Sequence, residues 1–400
     1  MDLDSYVIVR ALSKANLGGP KAGARRTRSA EGTRRAPKSE ITVETASAPS
    51  AKDLRDVRAD PRTLSVAPVM RLKLHRGKRH DRTAPPTADV AWGVRAVGAV
   101  ESPFDGSGVC VAVLDTGIVK HTAFKHITPK RQDFTGEGLD DTDGHGTHCA
   151  GTIFGGVVDG MRIGIAPNVE KALIGKVIGK EGATTAVLVK AVQWALEEGA
   201  HVISMSLGFD FPSSVDDLVK RRGLPLDIAT SRVLTDYREN LLLFDRLFDL
   251  VESQSTDYQA CLIVAASGNE SRRDEKRTHE VAASPPSNAR GVLSVGALGQ
   301  SESGLLPADF SNTRVALAAP GVEIPSAQHT GGLVAWDGTS MATPHVAGVA
   351  ALWAQKLMKG NRTLDHQLLK GSVLASCVRT SLDARHEAEQ VGAGIVQAPR

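Results

Sequence analysis

Three short stretches carry side chains whose types could break bonds. The first is Gly338-Thr339-Ser340-Met341-Ala342-Thr343-Pro344-His345-Val346-Ala347-Gly348. It sets the Ser340 hydroxyl at the mouth of a helix of very small residues. Gly338 lets the backbone turn tightly before it, and Pro344 fits the first turn of a helix starting near Ser340. A serine so placed sits among free N–H groups and the positive end of the helix dipole. Those groups stabilise a developing oxyanion. Taken alone, Ser340 also reads as the N-cap of a buried helix. The second stretch, Asp143-Gly144-His145-Gly146-Thr147-His148-Cys149-Ala150-Gly151-Thr152, puts two histidines three apart on another small-residue helix. They read as metal ligands, as a base, or as structural groups. The i, i+4 pair of a metalloprotease helix, its intervening Glu and a third ligand are missing, so metal is the weaker reading. A general base at His145 or a structural histidine remains. The third stretch, Val109-Cys110-Val111-Ala112-Val113-Leu114, ends in Asp115. Alone, that aspartate also fits an Asx-turn or a cap.

These residues need a scaffold, and the apolar pattern supplies one. Val109 to Leu114 is a continuous apolar run, as in a parallel strand buried on both faces. Further strands are expected at 172–177, 201–206, 261–266 and 292–297. The clearest helix spans 184–198, with Val187, Leu188, Ala191, Val192 and Ala195 on one stripe and Gly199 stopping it. Strands alternating with helices predict a doubly wound, mostly parallel α/β sheet flanked by helices. Ligands of such sheets bind at the carboxyl ends of the strands. Asp115 sits at one such end and Ser267-Gly268-Asn269 at another.

Composition narrows the function classes. In 400 residues, 41% hydrophobic content supports a sizeable core, and a net charge of +3 implies no nucleic-acid partner. Cys110, Cys149, Cys261 and Cys377 are widely spaced and read as reduced, buried thiols. Met1-Asp2-Leu3-Asp4 has no basic region and Tyr6 to Val9 is too short for a signal peptide. No stretch approaches a membrane span. A cytoplasmic protein with no membrane partner is therefore expected. Asn361-Arg362-Thr363 spells a glycosylation sequon, which carries no weight without a secretory signal.

The N-terminal 83 residues have another character. Strands are expected at 5–9, near 40–44 and at 64–70, and a helix at 50–59 with Leu54 and Val57 on one face. Between them, residues 21–38 hold seven Lys or Arg against one acid, a flexible basic loop. Residues 71–82 hold six, in Arg71, Lys73, Arg76, Lys78, Arg79 and Arg82. They read as an exposed linker open to proteolytic nicking. Thr83-Ala84-Pro85-Pro86 marks a boundary.

Together, the three stretches resemble the subtilisin-like serine peptidases, from about Ala88 to the C-terminus. Val113-Leu114-Asp115-Thr116-Gly117-Ile118 matches the aspartate motif, His145-Gly146-Thr147-His148 the histidine motif, and Gly338-Thr339-Ser340-Met341-Ala342-Thr343-Pro344 the serine motif. The chain order Asp, His, Ser is also that family's. The resemblance implies that Ser340 attacks a peptide carbonyl, His145 moves the proton and Asp115 holds the imidazole. Ala265-Ala266-Ser267-Gly268-Asn269-Glu270 matches the oxyanion motif. Asn269 would then donate from its side chain beside the Ser340 backbone N–H, and losing one such donor costs about 3–4 kcal/mol. Ser206, Leu207 and Gly208 would be the strand edge that pairs with an extended peptide substrate. Ala266, Ser267 and Gly268 would face them across the pocket before the cleaved bond. Their small, uncharged side chains predict apolar or medium-sized residues there, although Ala283-Ser284-Pro285-Pro286 departs from the usual pocket floor.

The departures shape the remaining expectations. About 209–258 is an inserted segment with Leu234, Tyr237, Leu241, Leu242, Phe244, Leu247 and Phe248 at helical spacing. It is expected on the rim of the groove, either as a packed surface helix or as a lid or docking element. The family's calcium loop falls at Gly155 to Met161, where Asp159 is the single carboxylate. Calcium wants six to eight oxygens, so no metal or other cofactor is expected there, and a weak site near Asp140 and Asp141 is left open. Cys149, one turn after His145, is expected near the active site but not as a nucleophile, and bulky thiol reagents would crowd the histidine. Residues 1–83 resemble a propeptide that inhibits intramolecularly, with a cut between about Leu74 and Thr83. Residues 84–400 would be the peptidase domain, complete at Arg400. The implied activity is peptide-bond hydrolysis. Acyl transfer, as in peptide-cyclising members, and a non-catalytic scaffold are the alternatives.

Overall fold

The computed structural model describes residues 5–11, 41–80, 88–254, 260–360 and 363–400. The basic loop at 21–38, the boundary at 83–86 and the Asn361-Arg362 half of the sequon lie outside them. Elements run β1 (Tyr6–Ala11), β2 (Ile41–Ala46), α1 (Ala51–Ala59), β3 (Thr63–Pro68), β4 (Arg71–Leu74), β5 (Arg79–His80) and α2 (Trp92–Ala96). There follow β6 (Cys110–Asp115), β7 (Lys130–Asp133), α3 (His145–Phe154), β8 (Val157–Val158), β9 (Met161–Arg162), β10 (Lys171–Lys176), β11 (Ala183–Thr184) and α4 (Thr185–Glu197). Next come β12 (Val202–Met205), β13 (Leu207–Phe209), α5 (Phe211–Arg222), α6 (Leu226–Gln254), β14 (Leu262–Ala266), β15 (Val292–Ser301) and β16 (Gly304–Pro307). The chain closes with β17 (Leu317–Pro320), β18 (Ile324–Ala327), β19 (Leu333–Trp336), α7 (Thr339–Met358), α8 (His366–Ala375) and α9 (Ala388–Val391).

The main sheet has the order β16-β15-β14-β12-β6-β10-β7, with β17 beside β15. Every pairing in it is parallel except that of β15 with β16. This is the doubly wound α/β sheet that the apolar runs predict. Strand order reverses around β6, so Asp115 at its carboxyl end opens into a crevice. The β6 run is apolar throughout because both faces are covered. Val111 and Val113 join the cluster that includes Ile153 of α3 and Val346 and Val349 of α7. Cys110, Ala112 and Leu114 join the cluster of Leu188 and Val192 of α4 and Phe244 of α6. Small residues let α7 pack tightly, and a side chain on Gly348 would collide with Ile165.

The N-terminal strands form a separate antiparallel sheet, β2-β1-β3, with α1 held by a Ser50–Asp53 capping box. Its apolar face does not stand alone. Val7, Val9, Ile41 and Ala67 share a cluster with Leu188, Leu243 and Phe244, so the sheet lies on α4 and α6. Asn240 of α6 is fully buried, and its Nδ2 donates to Pro68 O at 2.8 Å. Arg58 and Glu239 pair at 3.2 Å, and Gln193 Nε2 of α4 donates to Ile41 O at 3.2 Å. The inserted segment is thus two helices, α5 and α6, and α6 carries the N-terminal sheet as well as packing on the core.

Within the expected exposed linker at 71–82, residues 71–75 depart from that reading, and residues 81–82 lie outside the described residues. β4 is the middle strand of a three-stranded sheet, β11-β4-β13, antiparallel to both neighbours. Leu72, Leu74 and His75 are buried, whereas Arg76 to Arg79 are exposed. The cations dominate the composition, but the alternation Arg-Leu-Lys-Leu is a strand pattern that buries the leucines. Among the described residues, no helix is long and apolar enough to cross a membrane.

Candidate active site

Asp115, His145 and Ser340 come from three elements; the first two meet directly, and Cys149 Sγ bridges His145 Nδ1 and the Ser340 carbonyl. Asp115 ends β6, His145 opens α3 and Ser340 lies in the first turn of α7; all three are buried. His145 Nδ1 lies 2.8 Å from Asp115 Oδ1. Burial disfavours a charged imidazole, but the adjacent carboxylate outweighs it and raises the His145 pKa well above the ordinary value. His148 goes the other way. It stacks on Trp336 with ring centroids 5.1 Å apart, its Nε2 meets Ile324 O at 3.0 Å, and burial lowers its pKa to about 3. The two histidines three apart therefore do different things, and they do not converge on a common ligand position.

Pro344 is the sixth residue of α7, which begins at Thr339, and so lies in its second turn rather than its first. Its missing N–H leaves Ser340 O without its i+4 donor. Ser206 Oγ and Cys149 Sγ occupy that carbonyl, at 3.2 and 3.4 Å. Cys149 is fully buried with Sγ 3.8 Å from His145 Nδ1, and burial raises its pKa, so the thiol stays protonated behind the site. All four cysteines are free, and burial pushes Cys110 and Cys377 to about 12.

The chain itself runs through this site. Residues Leu72, Lys73 and Leu74 pair with Phe209, Gly208 and Leu207, and Arg71 and Leu72 pair on the other side with Thr184 and Ala183. The His75 carbonyl oxygen then accepts from Asn269 Nδ2 at 2.7 Å and from Ser340 Oγ at 3.0 Å. Ser340 Oγ is also 3.3 Å from Ser206 O, while the buried His145 Nε2 has no hydrogen-bond partner among the described residues. Among the described residues, the Ser340 backbone N–H makes no hydrogen bond to His75 O. Beyond the His75–Arg76 bond the chain stays anchored. Arg76 pairs with Asp143, Asp337 N donates to Lys78 O at 2.8 Å, and Arg79–His80 pairs antiparallel with Ala335–Trp336. A side chain at Gly77 would overlap the Asp337 carbonyl.

Residues inside the motifs and others outside them, Asn312 and His75, set this geometry together. Asn269 Oδ1 accepts from Thr339 N at 2.9 Å and from Thr339 Oγ1 at 2.8 Å, which turns Nδ2 toward the carbonyl. Thr339 Oγ1 in turn accepts from Gly268 N at 3.2 Å. Ala266 ends β14, and Ser267 N donates to Val295 O at 3.1 Å, so both brace this wall from behind. The His75 ring lies over Gly208, where a Cβ would come within 2.3 Å of Nε2, with Ser284 Oγ beside it. His75 Nδ1 is 3.5 Å from Glu270 Oε1. Asn312 Nδ2 donates to Glu270 Oε2 at 2.8 Å, and its Oδ1 accepts from the Glu270 backbone N–H at 3.0 Å. Burial would raise the Glu270 pKa, but His75, Lys73 and Asn312 outweigh it and hold it at about 2. The pocket is therefore not uncharged, as its small walls predict; an acid closes one side. Its position next to Asn269 is the one signal in the sequence that could have marked it.

The region near Asp140 and Asp141 does not fit calcium. Asp140 pairs with Arg131 at 2.7 Å, and its carbonyl takes Lys176 Nζ at 2.9 Å. Asp141 accepts from Asp143 N, Gly144 N, Thr147 N and Thr147 Oγ1, which uses its carboxylate to cap α3. Among the described residues, the one group of three clustered metal-type donors is Asp115, His145 and Cys149.

A model of the subtilase family matches residues 106–394. The chain belongs to the subtilase family. It is similar to the alkaline protease of Alkalihalobacillus alcalophilus, 34% identical over 274 residues, which is 67% of this chain and 60% of that protein. It is equally similar to Subtilisin Savinase of Lederbergia lenta, 34% over 274 residues and 85% of that protein. An intracellular serine protease of Paenibacillus polymyxa is 30% identical over 308 residues, 74% of this chain and 81% of that protein. This subtilase thus spans about 60% of the length of the alkaline protease. The family match begins at residue 106, so β1 to β5 lie outside it.

Proposed function

We propose that this subtilase is a serine endopeptidase whose first substrate is its own His75–Arg76 bond. Ser340 Oγ attacks the His75 carbonyl carbon as His145 Nε2 takes its proton, and the Asp115 carboxylate stabilises the imidazolium. Asn269 Nδ2 holds the negative oxygen of the tetrahedral intermediate. His145 then delivers the proton to the Arg76 amine, the C–N bond breaks and His75 is left as an acyl ester on Ser340. Water, deprotonated by His145, hydrolyses that ester. The observation that carries this reading is the His75 carbonyl oxygen, held jointly by Asn269 and Ser340. The Ser340 hydroxyl must turn from that oxygen toward the unpartnered His145 Nε2 for attack. No step requires a metal. The N-terminal 83 residues act as a propeptide-like inhibitor of residues 84–400, since β4 fills the edge between β11 and β13 where another extended protein or peptide would pair. We place its action in the cytoplasm, a reading supported by the intracellular relative.

The test is intact mass of the full-length protein during incubation with a fluorophosphonate probe, beside Ser340→Ala. The expected outcome is fragments ending at His75 and beginning at Arg76, with the probe on Ser340 of the wild type alone. A wild type that neither cleaves nor labels, even after trypsin removes the exposed 76–79 segment, would sink the proposal.

A further inference from the structure

The segment seated in the groove carries a basic side chain at every other position, Arg71, Lys73 and His75, and each lies beside an acid. Counting back from the His75–Arg76 bond, His75 is P1, Lys73 is P3 and Arg71 is P5. Arg71 pairs with Asp217 at 3.0 Å. Lys73 Nζ lies 3.3 Å from Asp210 and 3.6 Å from Glu270, and His75 Nδ1 lies 3.5 Å from Glu270. Across the bond, at P1′, Arg76 pairs with Asp143. Between them Leu72 and Leu74, at P4 and P2, are buried. Two of these acids come from the inserted segment: Asp210 precedes α5 and Asp217 lies within it. Asp210 makes no side-chain cap hydrogen bond to α5, whereas Asp217 is shared between Arg71 and Arg221, the latter at 3.1 Å one turn on.

We infer that the substrates of this groove are basic, extended peptides with Lys, Arg or His at P5, P3 and P1 alternating with apolar residues at P4 and P2, and with a further cation at P1′. The inference rests on the peptidase reading above and deepens it. A strand presents alternate side chains to opposite sides, so Asp217, Asp210 and Glu270 read Arg71, Lys73 and His75 on one side while the leucines fill the other, and Asp143 reads Arg76 beyond the strand. The acids are only partly exposed, with side-chain exposures of 21% for Asp217, 22% for Asp210 and Asp143, and 34% for Glu270. Each pair is weak alone, and several in register along one strand give a preference on the order of 10- to 100-fold. Being electrostatic and partly exposed, that preference fades as salt shortens the screening length.

Two measurements test it. The first compares kcat/KM for quenched peptides Arg-Leu-Lys-Leu-His-Arg-Gly and Gln-Leu-Gln-Leu-Gln-Gln-Gly with processed enzyme, its active sites counted by a fluorophosphonate probe, in low and high salt. The second follows hydrogen exchange of residues 71–75 in full-length Ser340→Ala protein, with and without Asp210→Asn/Asp217→Asn. The expected result is a 10- to 100-fold preference for the basic peptide that shrinks in salt, and faster exchange in the acid-less variant. Probe-labelled enzyme that cleaves both peptides equally, with exchange unchanged, overturns the inference and leaves the peptidase reading standing. Absent labelling with the expected exchange change removes the peptidase reading and keeps the groove as a selective site for basic strands. Absent labelling with unchanged exchange removes both.

Discussion

The amide of Asn269 is held at both ends: its Nδ2 donates to His75 O at 2.7 Å, and its Oδ1 accepts from Thr339 N and Thr339 Oγ1 at 2.9 and 2.8 Å. A donor fixed before charge develops does not need to reorganise during reaction.

Asn269→Ala is expected to lower kcat by about 10²–10³-fold with little change in KM. Thr339→Val removes one of the two bonds that orient the amide, and a smaller loss of kcat, about tenfold, follows from one misplaced hydrogen bond. Steady-state kinetics on both variants checks the ordering. Equal losses would contradict a positioning role for Thr339.

The pH dependence follows from His145. The base must be neutral to take the Ser340 proton, and the Asp115 carboxylate raises the pKa of the imidazole. Activity therefore rises with pH through a limb displaced above the ordinary imidazole value. Asp115→Asn removes the charge, so the limb moves to lower pH, and kcat falls by about 10⁴-fold as in other triads. A pH–rate profile of kcat/KM for both proteins is the measurement.

Gly208 sets the size of the pocket. Its missing Cβ is the space in which the His75 ring lies. Gly208→Ala is expected to slow cleavage after His75 by about tenfold or more, the cost of an overpacked contact. His75→Ala in the same protein should restore the rate. Intact-mass time courses of the two variants decide this, and a double variant no faster than Gly208→Ala would contradict it.

Asn240 couples the inserted helix to the N-terminal sheet. Asn240→Leu leaves Pro68 O buried without its donor, a loss of about 1–3 kcal/mol. The expected consequence is weaker retention of the cleaved N-terminal segment and earlier onset of activity after processing. Hydrolysis progress curves would show a shorter lag, whereas an unchanged lag would separate α6 from inhibition.

The sequence carried the chemistry more fully than its regulation. The apolar runs of β6, β12 and β14 and the small residues of α3 and α7 announce the sheet and the helices that bring Asp115, His145 and Ser340 together. The seat of residues 71–75 was harder to read. Cations are usually solvated, and the acids that receive Arg71 and Lys73 lie more than a hundred residues away, at 210, 217 and 270. The alternation Arg71-Leu72-Lys73-Leu74 was visible, but only a partner edge on each side turns it into a buried strand. Likewise the apolar spacing of α6 marks a helix without saying that its Asn240 meets Pro68 O, a contact fixed by tertiary packing.

The His75–Arg76 bond is anchored on both flanks, by β4 between β11 and β13 and by β5 on β19. Breaking it therefore does not at once free the new amine. On the proposed mechanism the Arg76 nitrogen would stay beside the acyl ester and compete with water for the same carbonyl. The self-cleavage proposed above would then begin as a reversible, concentration-independent equilibrium within one molecule. In that proposal, departure of residues 76–80 from β19 ends the reversal, and the groove opens only when β4 leaves the edge between β11 and β13, so the onset of activity is a dissociation event that follows the chemistry.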